Sequence, residues 1–162
     1  VQGWSADRAA QEAVLRGRGG LFALSYVSRA MERDSGSLHR VAREIADHAG
    51  ARNGSVSLTG ALCLGDGCFA QVLEGPGPAV LDTFDRILLD PRHRDVRLLE
   101  FVPIASRRFA GRSMAFSGEL APGILAGAAV EHRLMERLGR GSVAHQAQVI
   151  ATAMEAGLRP IA

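Results

Sequence analysis

An uncharged amide, Gln71, lies inside an otherwise apolar stretch of the sequence, GCFAQVLEG. Side chains along a strand alternate between the two faces of a sheet, so Phe69, Gln71 and Leu73 should share one face. An amide buried without a hydrogen-bond partner costs about 1–3 kcal/mol. Tyr26, in the apolar stretch LFALSYVS, can supply that hydrogen bond. On spacing alone, two interpretations stay open: the two groups satisfy each other in the core, or they flank a bound ligand.

Two further polar sites follow predicted helices. Asn53 comes after the first long helix, where an amide is typical of a turn or a helix end, but it would also border the space beside Gln71. Arg92 and His93 come after the second long helix, where cations favour the helix macrodipole. A flat ligand with polar edges, bound between the two helices, would use the same donors.

Metal and common catalytic motifs are not found in the sequence. Cys63 and Cys68 do not form a CxxC motif and the 5 histidines are spread along the chain, which predicts no metal site. A Gly-x-Ser-x-Gly motif, a P-loop and a carboxylate pair in an apolar setting are also missing. Two cysteines without a signal peptide are typical of reduced thiols in a cytoplasmic protein. We therefore expect a cytoplasmic protein that is not an enzyme.

The overall composition predicts a globular domain with flanking segments. The chain has 162 residues, of which 47% are hydrophobic and 22% charged, and a net charge of +2. No apolar run approaches the length of about 20 residues that a membrane span needs, so we expect no membrane partner. The arginines are scattered and only 8 residues are aromatic, which argues against nucleic acid as a partner.

Hydrophobic periodicity and turn residues predict the order β-α-β-β-α-β-β. This order is typical of a ferredoxin-like α+β fold with an added strand, in which one sheet carries two helices on one face. Ser37 is predicted to cap the first long helix and Gly50 to end it. The last two strands are predicted to form a hairpin. The predicted strands are 21–28, 56–64, 68–75, 96–104 and 109–116.

Helical segments flank this central region on both sides. A short helix at 5–16 and a break at 17–20 precede it, and two helices at 123–138 and 142–156 follow it. The domain boundaries are then expected at 1–20, 21–117 and 118–162. Apolar positions of the C-terminal helices either cap the open face of the sheet or form a dimer seam. These positions are Ile124, Leu134, Leu138, Val149 and Ile150.

Taken together, the motifs resemble the BLUF family of flavin-binding blue-light sensors. The resemblance covers roughly residues 21–117, with 18 positions from Asn53 to Gln71 and 21 from Gln71 to Arg92. One such motif would be weak, but the ordered set is specific. It consists of Tyr26, Asn53, LTG at 58–60, FAQVLEG at 69–75, ILLDPRH at 87–93 and RRFAGRSM at 107–114.

The resemblance implies a flavin ring between the two long helices, with FAD as the first choice and FMN or riboflavin as alternatives. Gln71 would lie between Tyr26 and the flavin, and Asn53 would bond the carbonyl and imide edge of the ring. The remaining roles that it implies are an apolar wall from Ile87, polar contacts near the opposite edge from Arg92 and His93, and signal transfer into the last strand by Ser113 and Met114.

The resemblance also implies the photochemistry and the output. Tyr26 would supply an electron and a proton to the excited flavin, and Gln71 would exchange its hydrogen bonds, which gives a small red shift without a covalent adduct. The signal would pass to a separate partner protein, and the chain would form a homo-oligomer, a dimer or larger.

Three departures from the family pattern stand out, one of which is a loop after Tyr26 that is longer than usual, and Arg112 is the one that favours a different class of function. Many members have Trp where this chain has Arg112, and often a serine where it has Ala49. The alternative is a light-insensitive interaction module that keeps the fold without useful photochemistry. A further alternative is a ferredoxin-like enzyme or regulator that binds another flat ligand.

Overall fold

A computed structural model describes residues 4–16, 19–125 and 141–158 of the chain. Within these residues the helices and strands follow one another in the predicted order, and a described helix stands on each side of the sheet-forming region in the sequence. They are α1 (Trp4–Leu15), β1 (Leu21–Ala30), α2 (Ser35–Ser55), β2 (Thr59–Gly65), β3 (Cys68–Pro76), α3 (Gly77–Leu88), β4 (His93–Ile104), β5 (Ala115–Glu119) and α4 (Gly141–Gly157).

The five strands form one sheet in the order β4-β1-β3-β2-β5. The pairs β1–β3, β1–β4 and β2–β3 are antiparallel, whereas β2 and β5 run parallel. The predicted hairpin between β2 and β3 turns at Asp66 and Gly67, which both have the positive φ that a type I′ hairpin turn requires. The α+β, ferredoxin-like fold with an added strand is thus confirmed.

The predicted hairpin of the last two strands is wrong. Residues 108–111 form turns, and β5 begins only at Ala115 and pairs with β2, at the opposite edge of the sheet from β4. The buried carboxylate of Glu74 explains the difference, because it accepts hydrogen bonds from the backbone N–H groups of Arg108 (2.9 Å) and Phe109 (3.0 Å). Donors that bond a side chain in this way cannot bond a neighbouring strand.

The first long helix is also longer than predicted. Its N-cap is Asp34, whose side chain accepts from the backbone N–H of Ser37 at 2.8 Å, and it continues through Gly50 to Ser55. Gly50 does not have the positive φ of a glycine that ends a helix. Asn53 therefore lies in the last turn of α2, where its side chain is buried, and not in the turn that follows the helix.

The two faces of the sheet are covered by different helices. The face formed by Leu24, Tyr26, Leu62, Phe69 and Leu73 packs against α2 and α3. The opposite face packs against α4, through buried residues that alternate with those of the first face. These residues include Ala61, Cys63, Ala70 and Val72 of the sheet and Ala147, Ile150, Ala151 and Met154 of α4.

Of the two roles considered for the C-terminal helices, α4 has the first, because it caps the open face of the sheet. Ile150 is buried there, whereas Val149 is 42% exposed. Ile124 packs against the same cluster, although the rest of the helix predicted at 123–138, with Leu134 and Leu138, lies outside the described residues.

Both cysteines are packing residues of this α4-covered face. They are free thiols, and burial raises the pKa of Cys63 to about 12 and also raises the pKa of Cys68. Among the described residues, no cluster of side chains suits a metal ion. In the same part of the chain, no helix is long and apolar enough to cross a membrane.

Candidate functional site

A cleft of about 410 Å³ lies between α2 and α3. This volume falls within the range of small-molecule binding sites in proteins, roughly 300–1,000 Å³. The lining residues of each helix recur three or four positions apart, as expected for one helix face. The lining consists of Ile45, His48, Ala49, Arg52 and Asn53 of α2, Thr83, Arg86 and Ile87 of α3, Asp90 and Arg92 after it, Gln71 of β3 and His93 of β4.

Tyr26, Gln71 and Met114 are linked by hydrogen bonds between their side chains, and Gln71 is the one that reaches the cleft. Tyr26 and Gln71 are direct partners in the register of β1 and β3, so their side chains share the face under the helices. The Tyr26 hydroxyl donates to Gln71 Oε1 at 2.5 Å, and Gln71 Nε2 donates to Met114 Sδ at 3.6 Å. Gln71 lines the cleft and Tyr26 does not, so the amide lies between the phenol and the cleft.

The Tyr26 phenol is held in its neutral form. Its side chain is fully buried, and burial raises the pKa of Tyr26 above its usual range. The negative charge of Asp90 raises this pKa further, and the positive charge of Arg92 only partly offsets the effect. At neutral pH, Tyr26 is therefore a hydrogen-bond donor to Gln71.

Asn53 brings an unsatisfied acceptor to the same cleft. Its Nδ2 donates to the backbone carbonyl of Ser113 at 2.9 Å. Its Oδ1 is buried and has no hydrogen-bond partner, the one such side-chain atom among the described residues. Buried polar atoms in proteins are nearly always hydrogen-bonded, so this acceptor is available to a donor group on a ligand bound in the cleft.

The opposite end of the cleft carries an ion pair between neighbouring residues. Arg92 Nε lies 2.9 Å from Asp90 Oδ1, and Arg92 Nη2 lies 2.5 Å from Asp90 Oδ2. Burial favours a higher pKa for the Asp90 carboxyl, but the hydrogen bonds from Arg92 outweigh it and hold the pKa of Asp90 below its usual value. The same pairing raises the pKa of Arg92, so both groups stay charged and balance each other.

His93 is a neutral, buried imidazole beside this ion pair. Its Nδ1 lies 2.9 Å from the Ser28 hydroxyl, and its ring packs edge-on against Phe69 and Tyr26. Burial lowers the pKa of His93 to about 4, with the nearby charges of Asp90 and Arg92 acting in opposite directions. The imidazole therefore offers polar atoms without a charge at neutral pH.

We predict that His93 makes the folded protein sensitive to mild acid. The unfolded chain takes up a proton near pH 6.5 and the folded chain only near pH 4, so the free energy of unfolding should fall as the pH drops through this window. The loss should approach about 3 kcal/mol. Urea denaturation across this range should show a shallower pH dependence for His93→Asn, and an identical dependence in the two proteins would contradict the prediction.

The segment 112–114 connects the cleft to the rest of the fold through three consecutive residues. Ser113 accepts from Asn53, and Met114 accepts from Gln71. Arg112 Nη2 donates to the carbonyl of Leu158, just beyond the end of α4, at 3.3 Å. A change at the cleft edge therefore has a short path to the end of the helix on the other face of the sheet, through the backbone of residues 112–114 and one hydrogen bond.

The structure thus brings the site residues predicted from the sequence together, some in the lining of the cleft and the others in contact with that lining. Asn53, Gln71, Ile87, Arg92 and His93 line the cleft, and Tyr26, Ser113 and Met114 contact these residues from behind. Five further polar residues of the lining were not predicted from the sequence. They are His48, Arg52, Thr83, Arg86 and Asp90. Counting four positions back and three forward from Ile87 reaches Thr83 and Asp90, whereas no count of three, four or seven from Asn53 or Ile87 reaches the other three.

Comparisons with known proteins agree with this geometry. The family model named "BLUF: Sensors of blue-light using FAD" matches residues 21–115. The photoactivated adenylate cyclase subunit alpha of Euglena gracilis is 40% identical over 95 residues, which are 56% of this chain and 9% of that protein. The subunit beta of Euglena longa is 41% identical over 58 residues, 36% of this chain and 7% of that protein. The chain therefore spans less than a tenth of the length of these curated relatives.

Solved structures give the same result. Klebsiella pneumoniae BlrP1 with FMN and cyclic diGMP is 35% identical, with a TM-score of 0.52 over 59% of this chain and 25% of that one. The dark-state structure of the BLUF protein BlrB is 26% identical, with a TM-score of 0.59 over 86% of this chain and 98% of that one.

Proposed function

Because the chain belongs to the BLUF family of blue-light sensors using FAD, we propose that it senses blue light through a flavin bound in the cleft between α2 and α3. The observation that carries the proposal is the orphan Oδ1 of Asn53, which shares this cleft with the Tyr26–Gln71 pair. BLUF domains bind flavins. FAD is the flavin that we propose here, and FMN and riboflavin share its ring.

The residues present fit a flavin ring. The ring is flat, and its edge carries an imide N–H between two carbonyls. Asn53 Nδ2 already donates to the carbonyl of Ser113. The remaining polar atom of Asn53 is the acceptor Oδ1, which suits an imide N–H. Gln71 can present its amide to the ring, and Ile87 can pack against the flat surface. The Asp90–Arg92 pair and neutral His93 supply polar contacts near the other edge.

The photochemistry that we propose uses Tyr26 and Gln71. A bound flavin supplies the absorption of blue light and the strong oxidant that its excited state provides. Tyr26 would give one electron to that oxidant, and its phenolic proton would move towards Gln71 along the Tyr26–Gln71 hydrogen bond; both would return in the same cycle. Gln71 reorients or tautomerises meanwhile and exchanges its donor and acceptor positions. This exchange would alter the hydrogen bonding of Gln71 to a bound flavin, with no covalent adduct and no role for Cys63 or Cys68.

The output that we propose begins at Met114. Reorientation of Gln71 takes Nε2 away from Met114 Sδ, and the segment 112–114 passes the change to β5 and to the end of α4. Light would shift the population of two arrangements of this segment and so change the affinity for a separate partner protein or a second copy of the chain. In this proposal residues 21–117 are the sensor, 1–20 and 118–162 are helical flanks, and the chain acts as a photoreceptor and not as an enzyme.

Absorption spectra before and after blue light test this proposal directly. Purified protein supplied with FAD should bind the flavin, shift its absorption slightly to the red under blue light, and recover in the dark. Bound flavin without a reversible shift would favour the light-insensitive interaction module. Protein that stays colourless with FAD, FMN and riboflavin would overturn the proposal, and mass spectrometry of the ligand extracted from cells would then identify any other flat molecule.

A further inference from the structure

We propose that Arg52 and Arg86 form a phosphate subsite at the mouth of the cleft, which makes the protein prefer phosphorylated flavins, FMN or FAD, over riboflavin. This inference rests on the proposed function, because it concerns the tail of the same ligand. It assigns a role to two residues that the proposed photochemistry does not use.

Both arginines line the cleft from opposite walls. Arg52 is in the last turn of α2 and Arg86 is in the last turn of α3, and both side chains are exposed. The groups proposed to hold the ring, Asn53 and Gln71, are buried deeper in the same cleft. A ligand with its ring against these amides would therefore extend its tail towards the exposed arginines.

Neither arginine has a carboxylate within ion-pair distance in the described part of the chain. Other arginines do have one: Arg92 pairs with Asp90, and Arg40 pairs with Glu44. The charged groups that line the cleft are Arg52, Arg86 and Arg92 against Asp90, so the lining carries two uncompensated positive charges. A phosphate monoester carries about −1.5 to −2 at neutral pH, which matches this excess.

A cation in the last turn of a helix also favours the macrodipole of its own helix. That effect accounts for each arginine separately, but it does not require both of them to line one cleft. The guanidinium group is suited to phosphate, because its planar set of donors can make two parallel hydrogen bonds to phosphate oxygens. Since both arginines are exposed to water, each should strengthen the binding of a phosphorylated flavin by only about two- to fivefold.

Equilibrium titration of flavin-free protein with riboflavin, FMN and FAD, followed by quenching of flavin fluorescence, tests the inference. At low salt we expect FMN and FAD to bind roughly tenfold more tightly than riboflavin, the combined effect of two exposed ion pairs. In about 0.5 M sodium chloride the ratio of the riboflavin Kd to the FMN Kd should fall towards one, because screening weakens exposed charge pairs. Riboflavin binding should hardly change with salt.

The variants Arg52→Gln and Arg86→Gln, alone and together, assign the effect to these residues. The double variant should bind FMN no more tightly than riboflavin, with riboflavin affinity unchanged within about twofold. Arg94→Gln is the matched control, since it removes one exposed charge on β4 outside the cleft lining and should keep the preference.

Equal affinities for FMN and riboflavin in the unaltered protein, or a preference that survives in the double variant, would overturn the subsite. Failure of all three flavins to bind would instead overturn the proposed function, and the subsite with it. The two failures are therefore distinguishable in one set of titrations.

Discussion

Replacing Tyr26 with Phe should abolish the reversible red shift while the protein still binds flavin. The substitution removes one hydroxyl, which donates to Gln71 Oε1, and keeps the aromatic ring that packs against Phe84. Tyr26 does not line the cleft, so the surface offered to the flavin is unchanged. A phenyl ring has no O–H to release and is much harder to oxidise than a phenol. The lost hydrogen bond should cost only about 1 kcal/mol of stability.

Blue-light difference spectra of the two proteins, loaded with the same flavin, measure this effect. Thr83→Val is a matched control, because it removes a buried hydroxyl from the cleft lining without touching the Tyr26–Gln71 pair. We expect the control to keep the red shift. A red shift of unchanged size in Tyr26→Phe would show that the phenol is not the electron and proton donor.

Replacing Gln71 with Leu should also eliminate the red shift, for a different reason. Leucine has about the volume of glutamine but can neither accept from Tyr26 nor donate to Met114 or the flavin. Light would still excite the flavin, but no amide would be there to exchange hydrogen bonds. The dark spectrum itself should shift, since a hydrogen bond to the ring is lost. The buried hydroxyl of Tyr26 would also lack its acceptor, at a cost of about 1–3 kcal/mol.

The variant Met114→Leu distinguishes the red shift, which depends on Gln71, from the transfer of the signal through Met114 to β5 and α4. It removes only the sulfur that accepts from Gln71 Nε2 and leaves the Tyr26–Gln71 hydrogen bond intact. We expect Met114→Leu to keep a red shift with an altered rate of dark recovery. Complete loss of the red shift in Met114→Leu would contradict this expectation and show that the photochemistry also needs the sulfur contact of Gln71.

The parts of this site that could be predicted from the sequence are those set by strand alternation and local periodicity. Gln71 and Tyr26 are polar residues at core positions of two strands, and the ferredoxin-like order makes those strands neighbours. The cleft follows from two helices that pack side by side on the same face. The apolar pattern of each helix predicts that packing without knowledge of any particular contact.

The features that could not be predicted depend on contacts between distant residues. Gly50 is typical of a helix end, but α2 continues past it and so brings Asn53 into the cleft wall. The segment after β4 has strand-like composition, yet the buried carboxylate of Glu74 holds its backbone donors and directs the chain to the far edge of the sheet. No local pattern around 109–116 contains that information, because Glu74 lies about 35 positions earlier.

Tyr26 is the only tyrosine in the chain, and no solvent reaches its side chain. Any isotope or fluorine atom introduced through tyrosine therefore occupies a single position, against the amide of Gln71. Resonance or vibrational signals from such a label would need no assignment and would contain no background from surface phenols. The molecule thus carries one built-in reporter, located where the proposed chemistry begins.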